Sequence, residues 1–417
     1  MWSNINSEIL LLVFLPGLIF RDAFGQNMHL FMYSLVQLFI FAFPLVLAGT
    51  LLGALVGYYI FPFGWSFNLS MTVGSILAAT DPVAVALLEE VGAPPRLKVH
   101  IAGESLLNDG SAIVFFSIFS QRYYSEFNIP GFGEDYRYKK GIGMFCQKAL
   151  GGTAIGLFFA ICLLACLFML NRQFSREESI VQVTTIFAVA YLNYYVADFI
   201  WETSGVIATV AAGVFVKLLG RAMVDDLKLL EDFLQLVEHI LNTILFTLGG
   251  VVWGAVIATG ERGGVFGAKE WGYLIILYVL LHVIRALQFA AVYPITVRIG
   301  LKTNWQETSF QVFGGLRGAV GIALAIALDN TVSLITGGRN ETEDEIHTQQ
   351  AFAMIGGMAF LTLVINGITA GPFLKRGLIL PTPQKPGSEL SAHTKFGSAQ
   401  PSSMRWWPFW VKADSKL

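Results

Sequence analysis

Apolar residues along this chain gather into long uninterrupted runs separated by short polar breaks, and the runs are about as long as a bilayer is thick. A helix needs about 20 such residues to cross a hydrocarbon core of roughly 30 Å. The runs fall at about 8–20, 32–60, 69–91, 100–120, 147–170, 179–198, 203–219, 239–258, 272–299, 305–328 and 350–373, and each predicts a spanning helix. The first is short for a span. Between the seventh and eighth, Arg221 to Glu238 mixes Asp225, Asp226, Lys228, Glu231 and Asp232 with leucines, which predicts an amphipathic linker lying at the interface. Beyond Pro381 no apolar period survives and Pro, Ser, Gly and Lys dominate. Residues 381–417 are therefore expected to be a disordered tail behind a transmembrane domain of residues 1–380.

Composition sharpens this to an all-α polytopic membrane protein, since 55% of the residues are hydrophobic and only 13% charged. A net charge of −2 and the lack of a basic arm exclude nucleic acid as a partner and leave membrane lipid as the expected surroundings. Cys162 and Cys166 stand at i, i+4 with no histidine nearby, so small core residues are expected there and a metal site is not. Charge also orients the chain. Arg21, Arg96, Lys98, Arg172, Arg176, Lys217, Arg221, Lys228, Arg298, Lys302, Lys375 and Arg376 follow odd-numbered segments, which places those loops and the tail in the cytoplasm. The sequons at Asn68 and Asn340 map to the opposite side. Trp65, Trp271 and Trp305, near segment ends, suit an aromatic belt.

Against this apolar background the ionisable residues stand out, because carboxylates and guanidiniums are costly at membrane depth and mark ion pathways. Glu104, Ser105, Asn108 and Asp109 recur at i, i+1, i+4 and i+5 and make one polar stripe on the fourth segment. Ser105 and Asn108 alone fit ordinary interhelical hydrogen bonding. Two acids on the same stripe do not. In the third segment, Thr80-Asp81-Pro82 predicts a broken helix, because Pro82 cannot donate to the carbonyl of Ala78. Freed carbonyls beside a carboxylate make a hard, oxygen-rich site suited to a small cation. The alternative is a plain proline kink. In the tenth segment, Gly314, Gly315, Gly318 and Gly321 surround Arg317, whose guanidinium needs an acid, and Glu104 is the expected partner in a structural ion pair. His282 and Arg285 in the ninth segment receive no chemical role.

Thr80-Asp81-Pro82-Val83-Ala84-Val85, Gly103 to Gly110 and Gly314-Gly315-Leu316-Arg317-Gly318-Ala319 together resemble the signature stretches of monovalent cation:proton antiporters, the Na⁺/H⁺ exchangers. The likeness includes Phe14 to Phe20 and runs nearly to Leu380, and it is most similar to the plant salt-overly-sensitive plasma-membrane exchangers. It implies a fold of thirteen helices built from inverted repeats, with two discontinuous helices crossing near the midplane, a core domain that carries the ion and a second domain that forms a homodimer. About eleven of those helices are expected here, so the domain is N-terminally incomplete by that pattern, and the plant exchangers' large regulatory region is not expected after the tail. Carried over by motif, Asp109 binds the cation or the proton with Asn108 beside it, Asp81 and Thr80 sit at the helix break, Ser105 helps line the site and Glu104 pairs with Arg317. No cofactor is implied beyond transported Na⁺ and H⁺, with K⁺ or Li⁺ as other cargo.

The expected activity is electroneutral exchange of Na⁺ for H⁺ by alternating access in the plasma membrane, with an endomembrane as the alternative, serving Na⁺ extrusion and pH and salt homeostasis. Burial favours a carboxylate's protonated form and a bound cation its ionised form, so one group can hold either ion but not both. K⁺/H⁺ exchange is the nearest rival. An intramembrane enzyme or a receptor is the rival from another class, and no His-Glu-x-x-His or Gly-x-Ser-x-Gly motif supports the enzyme.

Overall fold

A computed structural model describes residues 7–81, 93–127, 138–170, 176–263, 267–336 and 343–377. Among them the protein is all helix, apart from one antiparallel bridge between Asp81 and Leu316. The helices are α1 (Ser7–Gly25), α2 (Met28–Ile60), α3 (Phe67–Ala78), α4 (Pro95–Tyr124), α5 (Gly141–Met169), α6 (Ser179–Ile200), α7 (Gly205–Gly220), α8 (Leu227–Gly263), α9 (Ala268–Thr296), α10 (Trp305–Phe313), α11 (Ala319–Thr336) and α12 (Asp344–Leu374). Seven of the helices among the described residues are long and apolar enough to cross a membrane, and the chain is an integral, multi-pass membrane protein. Pro82 to Val85, the Asn340 sequon, Arg172 and the expected tail lie outside the described residues.

Two bodies emerge from the packing. In one, the order long helix, broken helix, long helix occurs twice, as α2–α3–α4 and as α9–α10/α11–α12, and α3 and α4 pack against α11. In the other, Phe20 and Phe24 of α1, Leu163 and Leu167 of α5, Val183 and Ile186 of α6 and Val216 of α7 form a separate apolar cluster. Small residues allow the closest approaches, as in other membrane helix pairs. A Cβ on Gly74 of α3 would strike the carbonyl of Thr50 in α2, and one on Gly156 of α5 would strike the carbonyl of Ala208 in α7.

Three expectations need correction. The stretch expected as an interfacial linker is instead largely the start of α8, a continuous helix of 37 residues. At 1.5 Å per residue it is about 55 Å long, well beyond the hydrocarbon core. Asp226 accepts from the Leu229 amide at 3.0 Å to start it, and Leu230 and Leu234 are buried in the second cluster. Two of its charges find partners: Glu238 meets Arg21 at 2.7 Å and Glu231 meets Lys217 at 3.1 Å. Cys162 and Cys166 are exposed on the outside of α5, not in the core. Trp65 is buried against Phe61 and Phe63, whereas Trp271 and Trp305 are exposed as a belt requires.

Candidate ion-binding site

Ser66 caps the start of α3, accepting from the Leu69 amide at 3.1 Å, and the helix stops at Ala78 because Ala79 turns to an extended conformation (φ −60°, ψ 139°). That break leaves backbone carbonyls without helical donors in a buried place, where each unpaired group is costly. The polar stripe of α4 meets them. Asn108 donates through Nδ2 to the carbonyl of Ala78 at 3.1 Å and to the Thr80 hydroxyl at 3.0 Å. Ser105 donates to the carbonyl of Thr80, and Ser111, one turn on, donates to the carbonyl of Ala42 in α2. The Ala78 carbonyl is thus freed as expected, and Asn108 takes it up.

Asp109 stands apart from this bonding. The residue is 8% exposed, and among the described residues its carboxylate makes no hydrogen bond and no ion pair. The charged groups that act on it are the carboxylates of Asp81 and Asp22. Beside it, Oδ1 of Asn108 is buried with no partner among the described residues. The polar stripe therefore divides in two: Ser105 and the Asn108 amide nitrogen secure the break, while Asp109 and the Asn108 oxygen keep free oxygen lone pairs.

The second break lies between Phe313, the last residue of α10, and Ala319, the first of α11. Here the two broken segments cross. The Asp81 amide donates to the carbonyl of Leu316 at 2.8 Å, and Asp81 Oδ2 accepts from the Ala319 amide at 3.3 Å, which makes it a cap for α11. The crossing requires glycine at position 318, since a Cβ there would overlap the Asp81 carboxylate. Arg317 reaches back and donates through Nη1 to the carbonyl of Ala79 at 2.7 Å, while its own amide donates to the Thr362 hydroxyl at 3.1 Å.

The expected pairing of Glu104 with Arg317 is corrected here. Glu104 is bonded to Arg285, whose Nη2 lies 2.6 Å from its Oε1. Arg285 also donates through Nε to the carbonyl of Gln311 at 3.0 Å, and so ties α9 to both α4 and α10. Arg317 is instead turned towards Ala79, a carbonyl that the first break exposes. Arg285, Gln288, which donates through Nε2 to the carbonyl of Leu45 at 2.8 Å, and Thr362 were missed in the sequence, yet a signal was present for the first two. Tyr278, His282, Arg285 and Gln288 recur at i, i+4, i+7 and i+10, a polar stripe along an otherwise apolar helix.

The sodium/hydrogen exchanger transmembrane family model matches residues 2–376. The chain is 35% identical to Sodium/hydrogen exchanger 7 of Arabidopsis thaliana over 95% of its own length and 33% of that protein's. It is 31% identical to the Na(+)/H(+) antiporter NhaP of Pseudomonas aeruginosa, with 89% of this chain and 81% of that one covered. Among solved structures, the sodium proton antiporter MjNhaP1 of Methanocaldococcus jannaschii matches with a TM-score of 0.67 at 18% identity, covering 90% of this chain and 85% of that one. That likeness shows the antiporter fold. The chain spans about a third of exchanger 7 and 46% of Sodium/hydrogen exchanger 8, also of Arabidopsis thaliana.

Proposed function

The chain belongs to the sodium/hydrogen exchanger family, and on that premise we propose that it exchanges Na⁺ for H⁺ across a membrane, with Asp109 holding either ion in turn. The observation that carries this reading is a buried carboxylate without hydrogen bond or ion pair among the described residues, beside a helix break whose carbonyls are already satisfied. A carboxylate so placed either takes a proton or draws in a cation, and the two compete. Asn108 offers a second hard oxygen for the cation, Thr80 and Ser105 hold the break at its level, and Asp81 fixes the crossing from which the cation is approached. The Glu104–Arg285 pair and Arg317 are architectural.

Alternating access moves the body of α2–α4 and α9–α12 against the body of α1 and α5–α8, and two copies of the latter form the homodimer. Transport is electroneutral. Asn108 cannot ionise, and Asp81 is engaged as a cap, so one charge enters for each that leaves. The protein works in the plasma membrane, where it exports Na⁺ and adjusts pH.

Purified protein in vesicles, with internal pH followed after addition of Na⁺, K⁺ or Li⁺, tests the reading. Proton movement is expected on addition of Na⁺, at an initial rate that an imposed membrane potential does not change. A response to K⁺ alone would replace Na⁺ as the cargo, and clear acceleration by voltage would mean that a second acid titrates in the cycle.

A further inference from the structure

Tyr278, His282 and Asn366 form a closed circuit of hydrogen bonds at the end of α10, none of which involves Asp109. Nδ1 of His282 lies 2.8 Å from the carbonyl oxygen of Tyr278, and its Nε2 lies 3.0 Å from Nδ2 of Asn366. The same Nδ2 donates to the carbonyl of Phe313 at 3.0 Å, while the Tyr278 hydroxyl donates to Oδ1 of Asn366 at 2.5 Å. Two backbone carbonyls assign every proton in this circuit. A carbonyl only accepts, so the hydrogen of His282 must sit on Nδ1, and the amide nitrogen of Asn366 must face Phe313. The other hydrogen of that nitrogen then meets a lone pair on Nε2. The circuit closes only around a neutral imidazole in its Nδ1–H form.

What it holds is the second break. Phe313 ends α10, and its carbonyl is one of those a helix C-terminus leaves without a backbone donor. Asn366, fully buried, closes the wide turn Thr362–Asn366 of α12, and Thr362 at the head of that turn receives the amide of Arg317. One turn of α12 therefore grips the break on both sides. We propose that His282 is a positioning residue that keeps the second break closed only while its imidazole is neutral, which gives exchange a proton-sensitive control separate from Asp109. This rests on the exchange reading above.

A proton on Nε2 would set two N–H groups against each other at 3.0 Å. Rotating the Asn366 amide relieves that opposition but turns Oδ1 towards the carbonyl of Phe313, which then faces an oxygen instead of a donor. With the rotation α10 loses its cap, and without it the opposed N–H groups push Asn366, the anchor of the turn that holds Arg317, away from α9. The charged groups facing the imidazole are the guanidiniums of Arg285, from its own helix, and Arg317, from the break. From α10 and α12 it meets neutral residues, Phe313, Met358, Thr362 and Asn366.

Exchange of labelled Na⁺ for unlabelled Na⁺ in vesicles held at equal pH on both faces separates the two proton sites. Protons are not cargo in that mode, so competition at Asp109 raises only the Na⁺ concentration for half-maximal rate, whereas protonation of His282 lowers the maximal rate. On acidification below about pH 6.5, where a proton must be added against the two facing guanidiniums, the parent's maximal rate is expected to fall several-fold. His282→Gln, whose amide supplies a donor and an acceptor without titrating, should keep its maximal rate and still show the rise in half-saturation. An equal fall in the variant, or a parent rate that does not fall, overturns the proposal. A parent that carries no Na⁺ at any pH defeats the exchange reading instead. Nitrogen NMR of labelled histidine in bilayers then decides the proposal, as it does if the variant fails to fold. A neutral Nδ1–H resonance that vanishes on acidification, together with a drop in the parent's melting temperature, supports it, and an Nε2–H or charged imidazole at neutral pH overturns it.

Discussion

The two helix breaks face the same physical problem, and the charge beside each is of opposite sign. Both interrupt an apolar helix and expose carbonyls where water is scarce. At the first, the donors to the carbonyls of Ala78 and Thr80 are neutral side chains, Asn108 and Ser105, and the acid next to them stays out of the bonding. At the second, Arg285 donates to the carbonyl of Gln311 and Asn366 to that of Phe313, while Arg317, which sits in this break, crosses to the carbonyl of Ala79 at the first. Fixed positive charge thus sits in the scaffold of one break, and a free carboxylate beside the other. A site assembled in this way can exchange its counter-ion without dismantling the backbone that surrounds it.

The contrast can be broken at several points. Arg285→Ala removes the partner of a buried carboxylate and should cost about 3–5 kcal/mol, read as a lower melting temperature in detergent. Adding Glu104→Gln should recover part of that loss, and should recover less when added to Arg317→Ala. Equal recovery in the two backgrounds would return Glu104 to Arg317. Gly318→Ala forces a Cβ into the Asp81 carboxylate where the breaks cross, and should cost roughly 1–3 kcal/mol and sharply reduce transport. Wild-type stability and flux in that variant would mean that the crossing is looser than described. Asn108→Ala strips donors from the Ala78 carbonyl and the Thr80 hydroxyl, for a loss of about 2 kcal/mol. The smallest effect belongs to the other body. Cys162→Ser and Cys166→Ser lie on an exposed face and should shift stability by less than about 0.5 kcal/mol, whereas a loss near that of a core cavity would place them in an interface.

Much of this was legible in the sequence because membrane depth makes polar residues conspicuous. The positions of the helices followed from apolar run length, and the first break from Thr80-Asp81-Pro82. The α4 stripe marked Ser105, Asn108 and Asp109 as one surface, and the structure turns that surface towards the break. The partner of Glu104 was not legible, because two arginines lie in apolar segments and spacing along one helix says nothing about which of two others comes within reach. Arg285 was given no chemical role, although the stripe from Tyr278 to Gln288 argued for an inward face. The start of α8 was misjudged for a related reason. Its mixed charges resemble an interfacial surface, but Leu230 and Leu234 had an apolar cluster of α1, α5, α6 and α7 to bury against. The exposed cysteines show a limit specific to membranes, where a small apolar residue is as comfortable facing lipid as facing protein.

The central claim is that one carboxylate trades a proton for a cation. Protons released on adding Na⁺ to the purified protein in weak buffer, counted against Na⁺ bound, test it most directly. About one proton should leave for each Na⁺ taken up by the parent protein, while Asp109→Asn, with its fold intact by thermal melting, should bind no Na⁺ and release none. Undiminished proton release on Na⁺ binding by Asp109→Asn would contradict the account and move the exchange chemistry to another acid.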